Sequence, residues 1–315
     1  MKLVLIGLVL AASGWVAWLY GADVDRARRQ AKAGAMTVLT PCGPIEYAVA
    51  GKGRPLLVVH GAGGGYDQGM DFGSPLASRG IQVVAMSRFG YLGTPLPADA
   101  SAEAQADAHA CLLDALGIRE AAILGASAGA PSALQFALRH PTRTTALVIV
   151  VPASWAPRGA GEPVVKSPPA TAFLFDTALR WDFAFWAARH VAPRALTRSL
   201  LATPPELVDA APVAERERVA RTLDRILPVS ARREGLVNDA RVVDNQQRYP
   251  LERIAAPTLV IGIEDDLFGT WDAARYIASQ VPGARWVGYP SGGHLWVGHH
   301  DELVSNVASF LGSGP

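Results

Sequence analysis

Cysteine is nearly absent: Cys42 and Cys111 are the only two in 315 residues. That excludes a disulfide framework and a cysteine-rich zinc site. Charge of one sign is also missing. There are 29 basic and 28 acidic residues, a formal net charge of +1. No global field exists to hold nucleic acid or an acidic partner. No internal repeat or low-complexity tract is visible, so solenoid and linker architectures are excluded. Charged residues make up only 18% against 50% hydrophobic ones, the reverse of a disordered chain. The 31 glycines and 23 prolines imply many tight turns between elements.

One long charge-free run is present, at the start. Leu3 to Tyr20 carries no charged side chain, and as a helix would extend roughly 27 Å, close to the ~30 Å hydrocarbon core of a bilayer. Trp15, Trp18 and Tyr20 sit at its end like an interfacial belt. Residues 1–20 therefore read as an uncleaved signal-anchor. A cleaved signal and a buried N-terminal helix are the alternatives. No small-x-small cleavage site is well placed, and no cysteine follows for a lipid anchor. Arg26, Arg28, Arg29 and Lys32 after the run favour a cytoplasmic body. The short N-terminal tail before a long apolar run favours an exported one, so the side stays open. Residues 21–36 read as a short amphipathic tether.

Thr37–Leu39 and Ile45–Val49 flank Pro41-Cys42-Gly43-Pro44 as a hairpin. Beyond Gly53 the pattern changes. Continuous apolar runs at 55–59, 81–86, 121–124, 145–151, 258–263 and 284–287 read as strands buried on both faces. Helical-period stretches at 102–116, 130–139, 271–280 and 302–311 lie between them. The expectation is a mostly parallel sheet with helices on both faces. Between 152 and 250 no strand is evident. That stretch, rich in Pro, Arg and aromatics such as Trp155, Phe173, Phe175, Trp181, Phe183, Phe185 and Trp186, reads as a helical lid. The core is then 37–151 and 251–315.

Gly125-Ala126-Ser127-Ala128-Gly129 fits G-x-S-x-G, after a strand and before a helix. That is the context of a nucleophile elbow, which lifts a serine Oγ above the sheet edge. The Ala128 N–H then lies at a helix N-terminus, where an oxyanion would form. His60-Gly61-Ala62-Gly63-Gly64-Gly65 follows the strand 55–59. Its glycines let a second N–H approach a carbonyl oxygen: Ala62 first, Gly63 behind it. Neither a dinucleotide fingerprint nor a phosphate-loop lysine accompanies it. His60 reads as structural.

A serine needs a base. Of seven histidines, His294 in Ser291-Gly292-Gly293-His294 precedes the last helix and is delivered to the same sheet edge. His109 and His140 fall on helical stretches. His299 and His300 suggest capping or solvent rather than metal, for want of a third ligand. The base needs an acid to fix its tautomer. Glu264-Asp265-Asp266 ends a strand at that edge, with Asp266 preferred, Asp265 second and Glu264 third.

Loop, elbow, acid and base in this order resemble the α/β-hydrolase fold family, over about residues 37–312. The family's strand-end GEDD pattern is similar to Ile263-Glu264-Asp265-Asp266 here and implies Asp266. Ser127 departs from the aspartate-nucleophile branches. Where members often carry D-x-R-G-x-G-x-S, this chain has Met86-Ser87-Arg88-Phe89-Gly90-Tyr91-Leu92-Gly93-Thr94. The Asp is missing, and the loop reads as structural, with Arg88 and Tyr91 as candidate substrate contacts. Trp181 and Phe185 are candidates for an apolar slot.

The resemblance implies a serine hydrolase working through an acyl-enzyme on Ser127. The expected substrate is a small carboxylic ester with an apolar acyl or alcohol part, and the chemistry needs no metal or organic cofactor. Within the family, C–C bond hydrolysis of a vinylogous diketone and cofactor-free haloperoxidase or perhydrolase activity are rivals. A non-catalytic member that binds an apolar ligand is the rival from another class. The membrane enters as a partner only through the N-terminal segment. The sequence is silent on oligomeric state.

Overall fold

The computed structural model describes residues 1–157 and 179–312. The expected lid aromatics Phe173 and Phe175 lie outside the described residues.

Helix α1 (Lys2–Gln30) carries the apolar run, and its most apolar 18-residue stretch is wholly uncovered by the rest of the chain. It is long and apolar enough to span a membrane or to be a signal sequence. Past Leu19 the same helix is packed. Val24 and Ala27 are buried, and the segment expected as a tether is helical to Gln30.

Strands β1 (Met36–Thr40) and β2 (Gly43–Ala50) form the expected hairpin. Next come β3 (Arg54–Val59), α2 (Tyr66–Ala77), β4 (Ile81–Met86), α3 (Ala102–Ala115), β5 (Ala121–Ala126), α4 (Ala130–Arg139) and β6 (Thr144–Val150). The described part of the insertion holds α5 (Asp182–Val191), α6 (Pro193–Ser199), α7 (Pro205–Ala210), α8 (Val213–Asp224) and α9 (Arg233–Asp244). The chain returns as β7 (Thr258–Ile263), α10 (Trp271–Gln280), β8 (Arg285–Tyr289) and α11 (His300–Gly312).

The eight strands make one sheet in the order β1-β2-β4-β3-β5-β6-β7-β8. The pairs β1–β2 and β2–β4 are antiparallel; the rest are parallel. The continuous apolar strands have their reason in two cores. Leu57, Val59, Ile123 and Ile149 face α3, α4 and α10. Leu56, Val58, Leu124 and Val150 face α2 and α11. Alternate residues of one strand thus enter opposite cores, as a period of two requires.

Helix α2 is the element the sequence concealed. Gly69, Gly73 and Pro75 interrupt its helical pattern. The helix lies so close to the sheet that a Cβ at Gly73 would meet Val83 Cγ1 at 2.5 Å. Close packing on β4 outweighs poor intrinsic propensity here.

Cys42 and Cys111 are joined in a single disulfide, which ties the hairpin turn to α3 with Cα atoms 6.2 Å apart. The helical insertion has its own apolar centre, including Phe185, Leu196, Leu223 and Ile226, and Ala27 of α1 belongs to it. Tyr20 packs edge-on against Phe183 and Trp186, and Asp23 accepts from Trp186 Nε1 at 2.9 Å. On its other side, the end of α1 meets the core: Tyr66 Oη donates to Ala33 O at 2.8 Å.

Candidate active site

The parallel strands end together, and the loops after β3, β5, β7 and β8 meet at that edge. Ser127 is the first residue past β5 and has φ +51°, left-handed backbone that a non-glycine residue rarely adopts. Strain of this kind persists only where neighbours over-determine it. The helix start at Gly129 supplies that: a Cβ there would stand 2.5 Å from Val59 O and 2.6 Å from His60 O. The turn is therefore pressed against the loop after β3, and Ala153 N–H ties down Ser127 O at 3.1 Å.

Ser127 Oγ lies 2.9 Å from His294 Nε2, and His294 Nδ1 lies 2.7 Å from Asp266 Oδ2. A carboxylate only accepts, so Nδ1 carries the proton and Nε2 accepts from Ser127 Oγ–H. Asp266 is buried and held on both oxygens. Thr270 Oγ1 donates to Oδ2, and Phe268 N–H donates to Oδ1 at 2.9 Å. Asp265, the second choice as acid, instead fixes the histidine loop by accepting Gly293 N–H at 2.7 Å. Glu264 is exposed. The helical insertion contributes a strut the sequence did not reveal. Ala202 O accepts from both Leu267 N–H (3.1 Å) and His294 N–H (3.2 Å), joining the acid and base loops.

Ala62, Gly63 and Ser127 line an apolar cleft, about 1140 Å3 counting its solvent-open part. Ala128, buried, follows Ser127 in the turn. Gly63 is corrected as an oxyanion donor: its N–H donates to Tyr91 Oη at 3.2 Å. None of the four candidate substrate contacts lines the cleft. Arg88 is buried beneath the loop and paired with Asp239 at 2.6 Å. Tyr91 is buried with it and donates to the same carboxylate. Trp181 is 66% exposed on the outside, and Phe185 is 0% exposed inside the helical insertion. The lining comes instead from Phe72, Leu179, Leu201, Ile226, Leu236 and Trp296. Their apolar character is common to every core segment, so no local signal singles them out.

Arg218 is the one guanidinium among the described lining residues. Glu215 grips it at 2.8 and 2.9 Å, and Leu295 O takes a further N–H at 2.7 Å. His60 is structural, as expected. Its Nε2 accepts Arg88 N–H at 2.9 Å, and burial together with the Arg88 charge holds its pKa well below the usual histidine value.

The chain matches the alpha/beta hydrolase fold family over residues 54–298 and belongs to it. It is 33% identical over 114 residues to an uncharacterised hydrolase, YcgS, of Bacillus subtilis, covering 36% of this chain and 39% of that relative's length. A 2-hydroxy-6-oxononadienedioate/2-hydroxy-6-oxononatrienedioate hydrolase of Paraburkholderia xenovorans is 29% identical over 280 residues, 85% of this chain and 90% of that protein. The structure of an alpha/beta hydrolase fold protein from Nakamurella multipartita superposes with a TM-score of 0.64 at 30% identity, covering 88% of this chain and 98% of that one.

Proposed function

We propose that this hydrolase is a serine esterase, cleaving carboxylic esters with an apolar acyl or alcohol group. The carrying observation is the Ser127–His294–Asp266 chain of hydrogen bonds at the floor of an apolar cleft. His294 Nε2 takes the Ser127 Oγ proton as Oγ attacks the carbonyl carbon. The Ala62 and Ala128 N–H groups receive the oxyanion. The alcohol leaves with the proton from His294, and an acyl-enzyme remains on Ser127. Water, deprotonated by His294, then releases the acid.

The second reading is C–C bond hydrolysis, favoured by the name of the Paraburkholderia relative. A dioate substrate carries carboxylates that need cations. The engagement of Arg218 by Glu215, and of Arg88 by Asp239, supports the ester instead. On either reading, Ser127→Ala should abolish labelling by a fluorophosphonate and lower turnover by at least ~10³-fold. Turnover of p-nitrophenyl butyrate but not of a 2-hydroxy-6-oxo-dienedioate supports the ester, and the reverse result overturns it. A wild-type protein that neither labels nor turns over either substrate is a ligand-binding member of the fold.

The disulfide supports a body on the oxidising side of the membrane, because such bonds persist outside reducing compartments. The apolar half of α1 is then a retained anchor, since the same helix continues into the lid's core.

A further inference from the structure

The direction of the Ala62 N–H is fixed by the peptide it belongs to. Across a trans peptide, the C=O of one residue and the N–H of the next point opposite ways. Whatever holds Gly61 O therefore aims Ala62 N–H. Gly61 O accepts from His60 Nδ1–H at 2.7 Å and from Arg88 Nη2 at 3.2 Å. Arg88 Nε donates to the preceding carbonyl, His60 O, at 2.9 Å.

The far side of the Arg88 guanidinium is held by Asp239 of α9, with Nη1 and Nη2 donating at 2.6 and 2.7 Å. Tyr91 Oη donates to the same carboxylate at 2.5 Å while accepting Gly63 N–H. A second lid residue, the fully buried Arg232, donates to Gly64 O at 2.5 Å and pairs with Asp67 at 2.7 Å. Both peptides flanking Ala62 are thus clamped, and the clamp closes on α9.

We propose that Asp239 is a positioning residue for the oxyanion site: through Arg88 and Tyr91 it fixes and polarises the Gly61–Ala62 peptide. The proposal rests on the serine-hydrolase reading above. A cation on a peptide oxygen draws electron density from the amide and strengthens its N–H as a donor. Burial opposes the Arg88 charge, yet the adjacent Asp239 holds its pKa above the ordinary arginine value, so the cation is permanent. The lid then acts on the chemical step as well as enclosing the substrate.

Two variants test this. Asp239→Asn keeps the shape but leaves Arg88 uncompensated; Tyr91→Phe deletes one hydroxyl and keeps the ion pair. With p-nitrophenyl butyrate, kcat should fall about tenfold in Tyr91→Phe and ~100-fold in Asp239→Asn, with KM within about twofold. Asp239→Glu should recover part of the loss. The rate of fluorophosphonate labelling should fall in parallel, because the phosphoryl oxygen occupies the same hole. Melting curves identify which variants are folded. Folded Tyr91→Phe and Asp239→Asn proteins with wild-type kcat and labelling rate overturn the proposal while leaving the esterase reading intact. A wild type that does not label overturns both.

Discussion

His109 lies beneath the elbow, fully buried, with Nε2 3.1 Å from Ser132 Oγ. Burial, aided by the Arg88 charge, pushes its pKa down to about 3. The folded state therefore keeps a neutral ring where the unfolded chain takes a proton. Stability is complete above the ordinary histidine pKa of ~6.5 and is lost as pH falls towards 3, by about 1.4 kcal/mol per pH unit per such histidine. His60 is shifted in the same direction and adds to the slope. Urea unfolding of His109→Gln at pH 7, 5 and 4 should show a shallower pH dependence than wild type; an identical slope refutes the assignment. The residues of the relay were legible because a strained turn, a strand end and a glycine-rich loop each leave a local sequence mark. Asp239 was not legible. Its partner Arg88 is 151 positions away, and nothing in the sequence around α9 marks one carboxylate as buried. Arg88 and Tyr91 lie buried beneath the glycine-rich loop rather than lining the cleft.

Among the elements, the turn from β5 into α4 has no room for a larger residue at Gly129. Gly129 backs onto the carbonyls of Val59 and His60, so Gly129→Ala must push the elbow off the loop after β3. Overpacking of this kind costs about 1–3 kcal/mol. A melting point several degrees lower, with a larger proportional loss of kcat, is expected; wild-type activity in Gly129→Ala would show that elbow and loop move independently. The parallel strands were plain from their uninterrupted apolar runs, since both faces are buried. Helix α2 was not, because tight packing on β4 selected glycines that erase helical periodicity. The helices of the insertion follow a local apolar pattern, but which of their side chains turn inward depends on contacts with α1 and the core.

At the scale of the molecule, the disulfide closes a loop across a separation of 69 residues. Chain-entropy arithmetic for such a loop gives an upper figure of about 4 kcal/mol. Cys42→Ser should lower the urea midpoint accordingly, and dithiothreitol should do the same to wild type but not to the variant. Trapping of free thiols in intact cells should leave both cysteines unmodified; modification of both would place the body in a reducing compartment. The last consequence concerns α1. Its apolar half runs without a break into the part that shares the apolar centre of the helical insertion, and residues just past its end touch Tyr66 of α2. The hydrolase therefore has no leash. A surface that held the first eighteen residues would also set the orientation of the body joined to them. A protease releasing the body intact would have to cut ahead of Leu19, because a later cut removes side chains packed in the insertion's apolar centre.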